Sequence, residues 1–513
     1  MSTPEMVQLR KHLSDISSLR AAVSLMHWDQ STLMPDHGAE FRGGHLASVE
    51  RIQHEKSTSP ELGRLLAALA KAPLESETEK ALVRVALEDY ERAVRLPPSY
   101  VEEMAAHSTV SYHLWKKARA ARDFKSMVET LKKTVDLSQR YSSYFTGFNH
   151  IADPLIDSSD PGSTVAELRP LFAELSRQLV PLAARILERG PFDNSCLRQE
   201  FDENKQLEFG VRVIEKLGYD FKRGRQDKTA HPFMIRLNTG DVRITTRVKE
   251  NDLGEALFST IHEAGHALYE LGIDAALEGT PLASGTSFGV HESQSRLWEN
   301  IVGRSLPFWR HFYPQLQAVF PSQLGNVSLA TFHRAINRVD RSLIRTDADE
   351  VTYNLHVMIR FDLETELLEG RLKVEDLKDA WNARYRSDLG VTPPHDGDGA
   401  LQDVHWFSGL IGGAFQGYTL GNVMSAQFFE SARAALPDLD NQMARGEFSP
   451  LRDWLRTNLH HHGRIHKGPE AVRVATGRPL EIAPYMRYLT GKYDALLNDR
   501  GSPNFAGETA TAP

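Results

Sequence analysis

Two histidines and a glutamate fall together in the run His262-Glu263-Ala264-Gly265-His266. On a helix, residues four apart stand one turn apart on the same face, so both imidazoles can reach one ion. The glutamate beside the first histidine then projects towards the coordination position left open. This is the layout for metal-assisted hydrolysis, in which an ion activates water and a carboxylate moves its proton. Such a site needs a third protein ligand and must still leave room for water. Glu292, in His291-Glu292-Ser293-Gln294, is the candidate, at the opening of a second helical stretch through Leu297, Trp298 and Ile301. Plainer alternatives exist for each group. The histidine pair can sit on an exposed turn, and Glu292 can be a solvated carboxylate favoured at a helix N-terminus.

These residues need rigid elements to position them. Leu257, Ile261, Ala264, Leu268 and Leu271 form an apolar stripe, which predicts a helix over about 253–271. Asp252 followed by Glu255 reads as a capping box at its start. Upstream, Phe233 to Leu237 and Val242 to Val248 flank the turn cluster Asn238-Thr239-Gly240-Asp241 and predict a hairpin with one apolar face. Elsewhere Leu62 to Ala70, Ala81 to Val94 and Val165 to Leu187 carry helical stripes. A ligand histidine should give its other ring nitrogen to a carboxylate, for which Glu299 and Asp349 are candidates.

Composition narrows the function classes. The chain has 513 residues with 41% hydrophobic and 25% charged, the balance of a globular protein able to bury a large core. Its net charge of −8 supplies no basic field for nucleic acid or an anionic membrane. No apolar run is long enough for a membrane-spanning helix, and Met1 to Asp15 does not resemble a secretory signal. The single cysteine, Cys196, excludes an intrachain disulfide and has no setting that marks a nucleophile. A soluble, cytoplasmic protein is expected. His460-His461-His462 reads as a surface cluster, and Asp396-Gly397-Asp398-Gly399 lacks the acid that would complete a calcium loop.

Six ordered segments carry a wider resemblance. They are His231-Pro232-Phe233; Asp241-Val242-Arg243-Ile244-Thr245; His262 to His266; His291-Glu292-Ser293-Gln294; Ile344-Arg345-Thr346-Asp347-Ala348-Asp349; and Gly399-Ala400-Leu401-Gln402-Asp403-Val404-His405-Trp406. Together with His27-Trp28-Asp29 and Lys492-Tyr493 at the flanks, the chain resembles the carboxypeptidase Taq family of thermostable metallocarboxypeptidases over nearly its whole length. The resemblance implies a mainly α, two-lobed groove peptidase similar to neurolysin and angiotensin-converting enzyme, with a small sheet beside the histidine helix. It implies one catalytic domain over 1–499; the small, polar stretch 500–513 reads from its composition as a disordered tail. It also implies a homodimer, one Zn2+ or Co2+ ion per chain, and broad removal of single C-terminal residues from peptides. The segment after Gly412-Gly413, Ala414-Phe415-Gln416-Gly417-Tyr418, departs from the family's usual richness in aromatic residues and proline.

Site roles follow from combining the resemblance with the residue chemistry. His262, His266 and Glu292 are the expected metal ligands, and Glu263 is the general base. His405 and Tyr418 fall where the resembling groove peptidases place donors to an oxyanion; a core histidine and a helix-capping tyrosine are the alternatives. Arg345 suits recognition of a terminal carboxylate through its planar fork, or else it pairs with Asp347, Asp349 or Glu350. Arg243, on the polar face of the hairpin, is a further substrate-binding candidate. Asp241, Thr245, Gln402 and Asp403 are expected to shape the hairpin and groove. An oligopeptidase with the same chemistry and a catalytically silent peptide-binding scaffold are the competing functions.

Overall fold

The computed structural model describes residues 3–498, so the expected disordered tail lies outside the described residues. Helices dominate, joined by short loops and 3-10 turns. Three short strands form the one described sheet, in the order β1-β3-β2, with β1 Gln226–Lys228, β2 Met234–Asn238 and β3 Asp241–Thr246. β2 and β3 are the hairpin that the alternation predicts, with Ile235 opposite Arg243 and Met234 opposite Ile244. The turn closes on Asn238, whose Oδ1 accepts the Gly240 N–H at 2.8 Å. The parallel strand β1 is a finding the sequence did not announce. It is three residues long and shows no alternation.

The helix carrying both histidines spans Leu253–Gly272, close to the expected range. Its Asp252 cap accepts the Gly254 N–H at 3.0 Å. The reciprocal half of the capping box does not form, because Glu255 is taken by Arg247 at 2.8 Å and by Lys249 at 3.3 Å. Ala264, Ala267 and Leu271 pack on Val242 and Ile244 of β3. Both strand residues are wholly buried, and each contributes about 1.5–3 kcal/mol relative to exposure. Sheet and helix are thereby fixed to each other.

Glu292 lies on a second helix, Phe288–Arg296, which starts before His291 and is capped by Ser287 accepting the Val290 N–H at 3.1 Å. It runs on as a π-helical turn over Leu297–Val302, an insertion often found at functional sites. A third helix, Phe415–Ala435, lies along the second. Glycines set how closely these three approach. A Cβ on Gly265 would stand 2.7 Å from Gln294 O and Ser295 Cα, and one on Gly421 would stand 2.6 Å from Glu292 Cγ. Only residues without a side chain allow that contact.

The long first helix, Pro4–Thr32, reaches the sheet from the other side, where Trp28 meets the Phe233 ring at 5.7 Å. Among the described residues, no helix is long and apolar enough to cross a membrane. The histidine triplet is not a surface cluster. His460 is 1% exposed and its Nε2 lies 2.8 Å from Gln294 Oε1, so the helix bearing Glu292 draws one of the three inward.

Candidate metal centre and active site

The three expected ligands converge. Nε2 of His262 and Nε2 of His266 stand 3.7 and 3.4 Å from the same Glu292 oxygen, Oε2. Ligand atoms at the corners of a tetrahedron with bonds near 2.1 Å lie about 3.4 Å apart, so the spacing suits a small divalent ion. The opposite ring nitrogens are occupied, His262 Nδ1 by Glu299 Oε2 at 2.9 Å and His266 Nδ1 by His291 Nδ1 at 2.6 Å. Both Nε2 atoms are therefore the ones available to an ion. Glu292 is 2% exposed, which rules out the solvated helix-end alternative.

Local charge supports the same use. Glu292 Oε1 takes Arg296 Nε at 2.7 Å and its Oε2 takes Ser295 Oγ at 3.0 Å. Burial opposes ionisation, yet Arg296, His262 and His266 together hold this carboxyl well below the usual range. Burial lowers the His266 imidazole to about 4, leaving the ring neutral as a ligand must be. For His262 burial acts in the same downward sense, but Glu292 and Glu299 outweigh it and raise the group. The field that draws a proton to His262 also draws a divalent cation. Glu263, 7% exposed, is pushed up to about 7 by burial, with His262 pulling against and Glu292 adding to the shift.

A second cluster contains Arg345, Asp403, His405 and Tyr418. Arg345 is 8% exposed and gives its Nε to Asp403 Oδ2 at 2.8 Å and its Nη1 to the Tyr353 hydroxyl at 3.0 Å. Its guanidinium carbon lies 5.1 Å from the centre of the Tyr418 ring and 5.2 Å from that of Phe415. The expected alternative partners do not hold it. Asp349 instead accepts the backbone N–H groups of Val351 and Thr352 at 2.9 and 3.0 Å, and so does not orient a ligand histidine either. Asp403 Oδ1 accepts both the backbone N–H of His405, at 3.1 Å, and its Nδ1–H. Burial opposes ionisation of Asp403, but His405, Arg345 and Arg360 hold it well below the carboxylate range. Gln402 Oε1 accepts the Arg345 backbone N–H at 3.0 Å, which fixes the arginine from behind.

Tyr418 packs on Phe288 at 4.8 Å and on Phe415 at 5.6 Å. Burial raises its hydroxyl, and the negative charge of Glu292 is near enough to add to that shift. Tyr418 stands one turn before Gly421 on the helix that Gly421 brings against Glu292. Arg243 lies apart from that network. Its Nε and Nη2 are both bound to Asp241, at 2.8 and 2.7 Å, and its guanidinium sits 5.6 Å from the Trp28 ring centre. Asp241 thus serves this arginine rather than local backbone. Thr245 does shape the hairpin, accepting the Phe233 N–H at 2.8 Å.

The family's sequence profile, described as carboxypeptidase Taq (M32) metallopeptidase, matches residues 8–493. The chain is a member of the carboxypeptidase Taq family. It is 41% identical to thermostable carboxypeptidase 1 of Thermus thermophilus, over 96% of this chain and 99% of that protein. Carboxypeptidase 1 of Bacillus subtilis is 39% identical over 94% and 97% of the two chains. The solved M32 carboxypeptidase of Deinococcus radiodurans R1 superposes with a TM-score of 0.95 at 49% identity, covering 97% of this chain and 100% of that one. Membership of the carboxypeptidase Taq family makes this chain a metallocarboxypeptidase, a metal-dependent peptide hydrolase. Two carboxypeptidase Taq site neighbours escaped the sequence reading. Arg296, four residues after Glu292, carried a readable signal as a helical Glu–Arg pair. His291 carried none, since it meets His266 and lies outside the three-residue cluster.

Proposed function

We propose that the chain is a zinc- or cobalt-dependent carboxypeptidase that removes single C-terminal residues from peptides with broad side-chain tolerance. In this reading residues 1–499 form one catalytic unit on the two-lobed groove plan of neurolysin and angiotensin-converting enzyme. The enzyme works in the cytoplasm as a homodimer. The observation that carries the proposal is the meeting of His262, His266 and Glu292 around one point, with Glu263 on the same helix and Arg345 linked to the cluster through Tyr353, whose ring lies 4.6 Å from Arg296, the partner of Glu292.

His262, His266 and Glu292 would hold the ion. When bound, the ion supplies Lewis acidity, bringing the pKa of a water towards 7 and polarising the scissile carbonyl. Glu263 takes the proton of the water as its oxygen bonds to the carbonyl carbon. The same carboxyl then delivers that proton to the departing nitrogen as the C–N bond breaks, leaving a new carboxylate and a free amino acid. Tyr418 donates its O–H to the oxyanion that develops in between. His405 gives Nδ1–H to Asp403, so its Nε2 donates to an oxyanion only when the ring carries both protons. Arg345, its Nε and Nη1 already engaged, offers the rest of its fork to the substrate's terminal carboxylate.

The test is digestion of one peptide in free-acid and amidated forms, read by mass spectrometry with and without chelator, alongside metal analysis. A ladder of single-residue losses from the free acid, abolished by chelator, is the expected result. Internal fragments or dipeptide steps would assign the metal chemistry to an oligopeptidase or a dipeptidyl enzyme instead.

A further inference from the structure

His266 is the ligand candidate whose second nitrogen meets no carboxylate. Its Nδ1 lies 2.6 Å from Nδ1 of His291, and Nε2 of His291 lies 2.9 Å from Glu270 Oε1. Two ring nitrogens at that distance share one proton, so one ring donates and the other accepts. Glu270 decides which. An ionised carboxylate only accepts, so His291 carries its proton on Nε2 and its Nδ1 is bare. The bare Nδ1 accepts from His266 Nδ1–H, and Nε2 of His266 is left with the lone pair that an ion requires.

Glu270 is anchored for this task. Its Oε1 also accepts the Gly285 N–H at 3.0 Å, and its Oε2 faces Arg236 Nε at 3.2 Å. Arg236 is held in turn by Glu278 at 2.6 Å. The His291 ring is confined as tightly. Tyr269 lies 5.1 Å from it on one side, and a Cβ added to Gly285 would stand 2.5 Å from His291 Cδ2. A chain therefore runs inward from Glu278 through Arg236, Glu270 and His291 to His266, and the members before His266 are fixed by contacts outside the metal site.

We infer that His291, directed by Glu270, is a positioning residue that sets the tautomer of His266 and thereby the affinity of the site for its ion. This rests on His262, His266 and Glu292 being the metal ligands. His291 acts through its neighbour and touches neither ion nor substrate.

The experiment measures zinc affinity of the full-length protein by competition with a chromophoric chelator, with the visible spectrum of the cobalt-loaded protein as a second readout. His291→Phe keeps the ring volume and removes the acceptor; His291→Asn restores an acceptor through its amide oxygen. Loss of zinc affinity by about 10- to 100-fold in His291→Phe, with an altered cobalt spectrum, is expected. His291→Asn should retain most of the affinity. Wild-type affinity in a folded His291→Phe protein would overturn the inference. So would equal losses in both variants, since restoring an acceptor would then restore nothing. Should His291→Phe fail to fold, Glu270→Gln takes its place, being matched in volume: weakened zinc binding supports the relay, unchanged binding overturns it. Zinc uptake that His262→Ala leaves at the wild-type level overturns the metal reading itself, a failure distinct from that of the relay.

Discussion

Glu263 differs from the carboxylates around it in having no cation within ion-pair distance among the described residues, while Glu292 and Glu299 both lean on Arg296. That isolation suits a group that must pick up and release a proton. Glu263→Gln should retain the ion and lose about 10²- to 10⁴-fold in kcat, checked by metal analysis and steady-state kinetics on the same sample. Arg345 calls for a gentler change, because removing it breaks a buried ion pair and leaves Asp403 with His405 alone, at a cost of about 3–5 kcal/mol. Arg345→Lys keeps the charge and loses the fork. KM for free-acid peptides should rise while the melting temperature moves little, and the preference over amidated peptides should shrink. His262, Glu263 and His266 stood out in the sequence as candidates because one helical turn relates them, a purely local geometry. It did not reveal that Arg345 pairs with Asp403, 58 residues away, since the choice among several nearby acids is made by tertiary packing.

At the level of elements, the site depends on how closely helices Leu253–Gly272 and Phe288–Arg296 approach. Gly265 lies between His262 and His266 and faces the backbone of Gln294 and Ser295. Gly265→Ala should therefore force the helices apart, destabilising the protein by about 1–3 kcal/mol. Because Glu292 would retreat from both imidazoles, zinc affinity should fall as well. Thermal melts of the metal-free protein and chelator competition separate the two effects. The hairpin of β2 and β3 was legible because Val242 and Ile244 alternate with polar residues and a turn cluster precedes them. β1 was not, because a three-residue strand carries no period. The capping box misled, since Asp252 and Glu255 have the right types and spacing but Arg247 claims the glutamate. Recognition that Gly265 is a spacer rather than a filler residue requires knowing which helix comes to rest on it.

For the whole molecule, an ion bound to the native chain and not to the unfolded one stabilises it by mass action. At 100 times the dissociation constant the gain is about 2.7 kcal/mol. The melting temperature should therefore drop on chelation and recover on adding zinc back, as scanning calorimetry can follow. The helical class and the three-residue convergence were readable from the sequence. The inward turn of His460 was not, because it depends on Gln294 arriving from a helix far away in the chain. The glycine contacts also bear on how the enzyme matures. Before helices Leu253–Gly272, Phe288–Arg296 and Phe415–Ala435 have docked, a nascent polypeptide presents only a weak bidentate imidazole pair. Productive loading is thus a late event, and in a refolding time course zinc capture should report the final docking step, not the initial collapse.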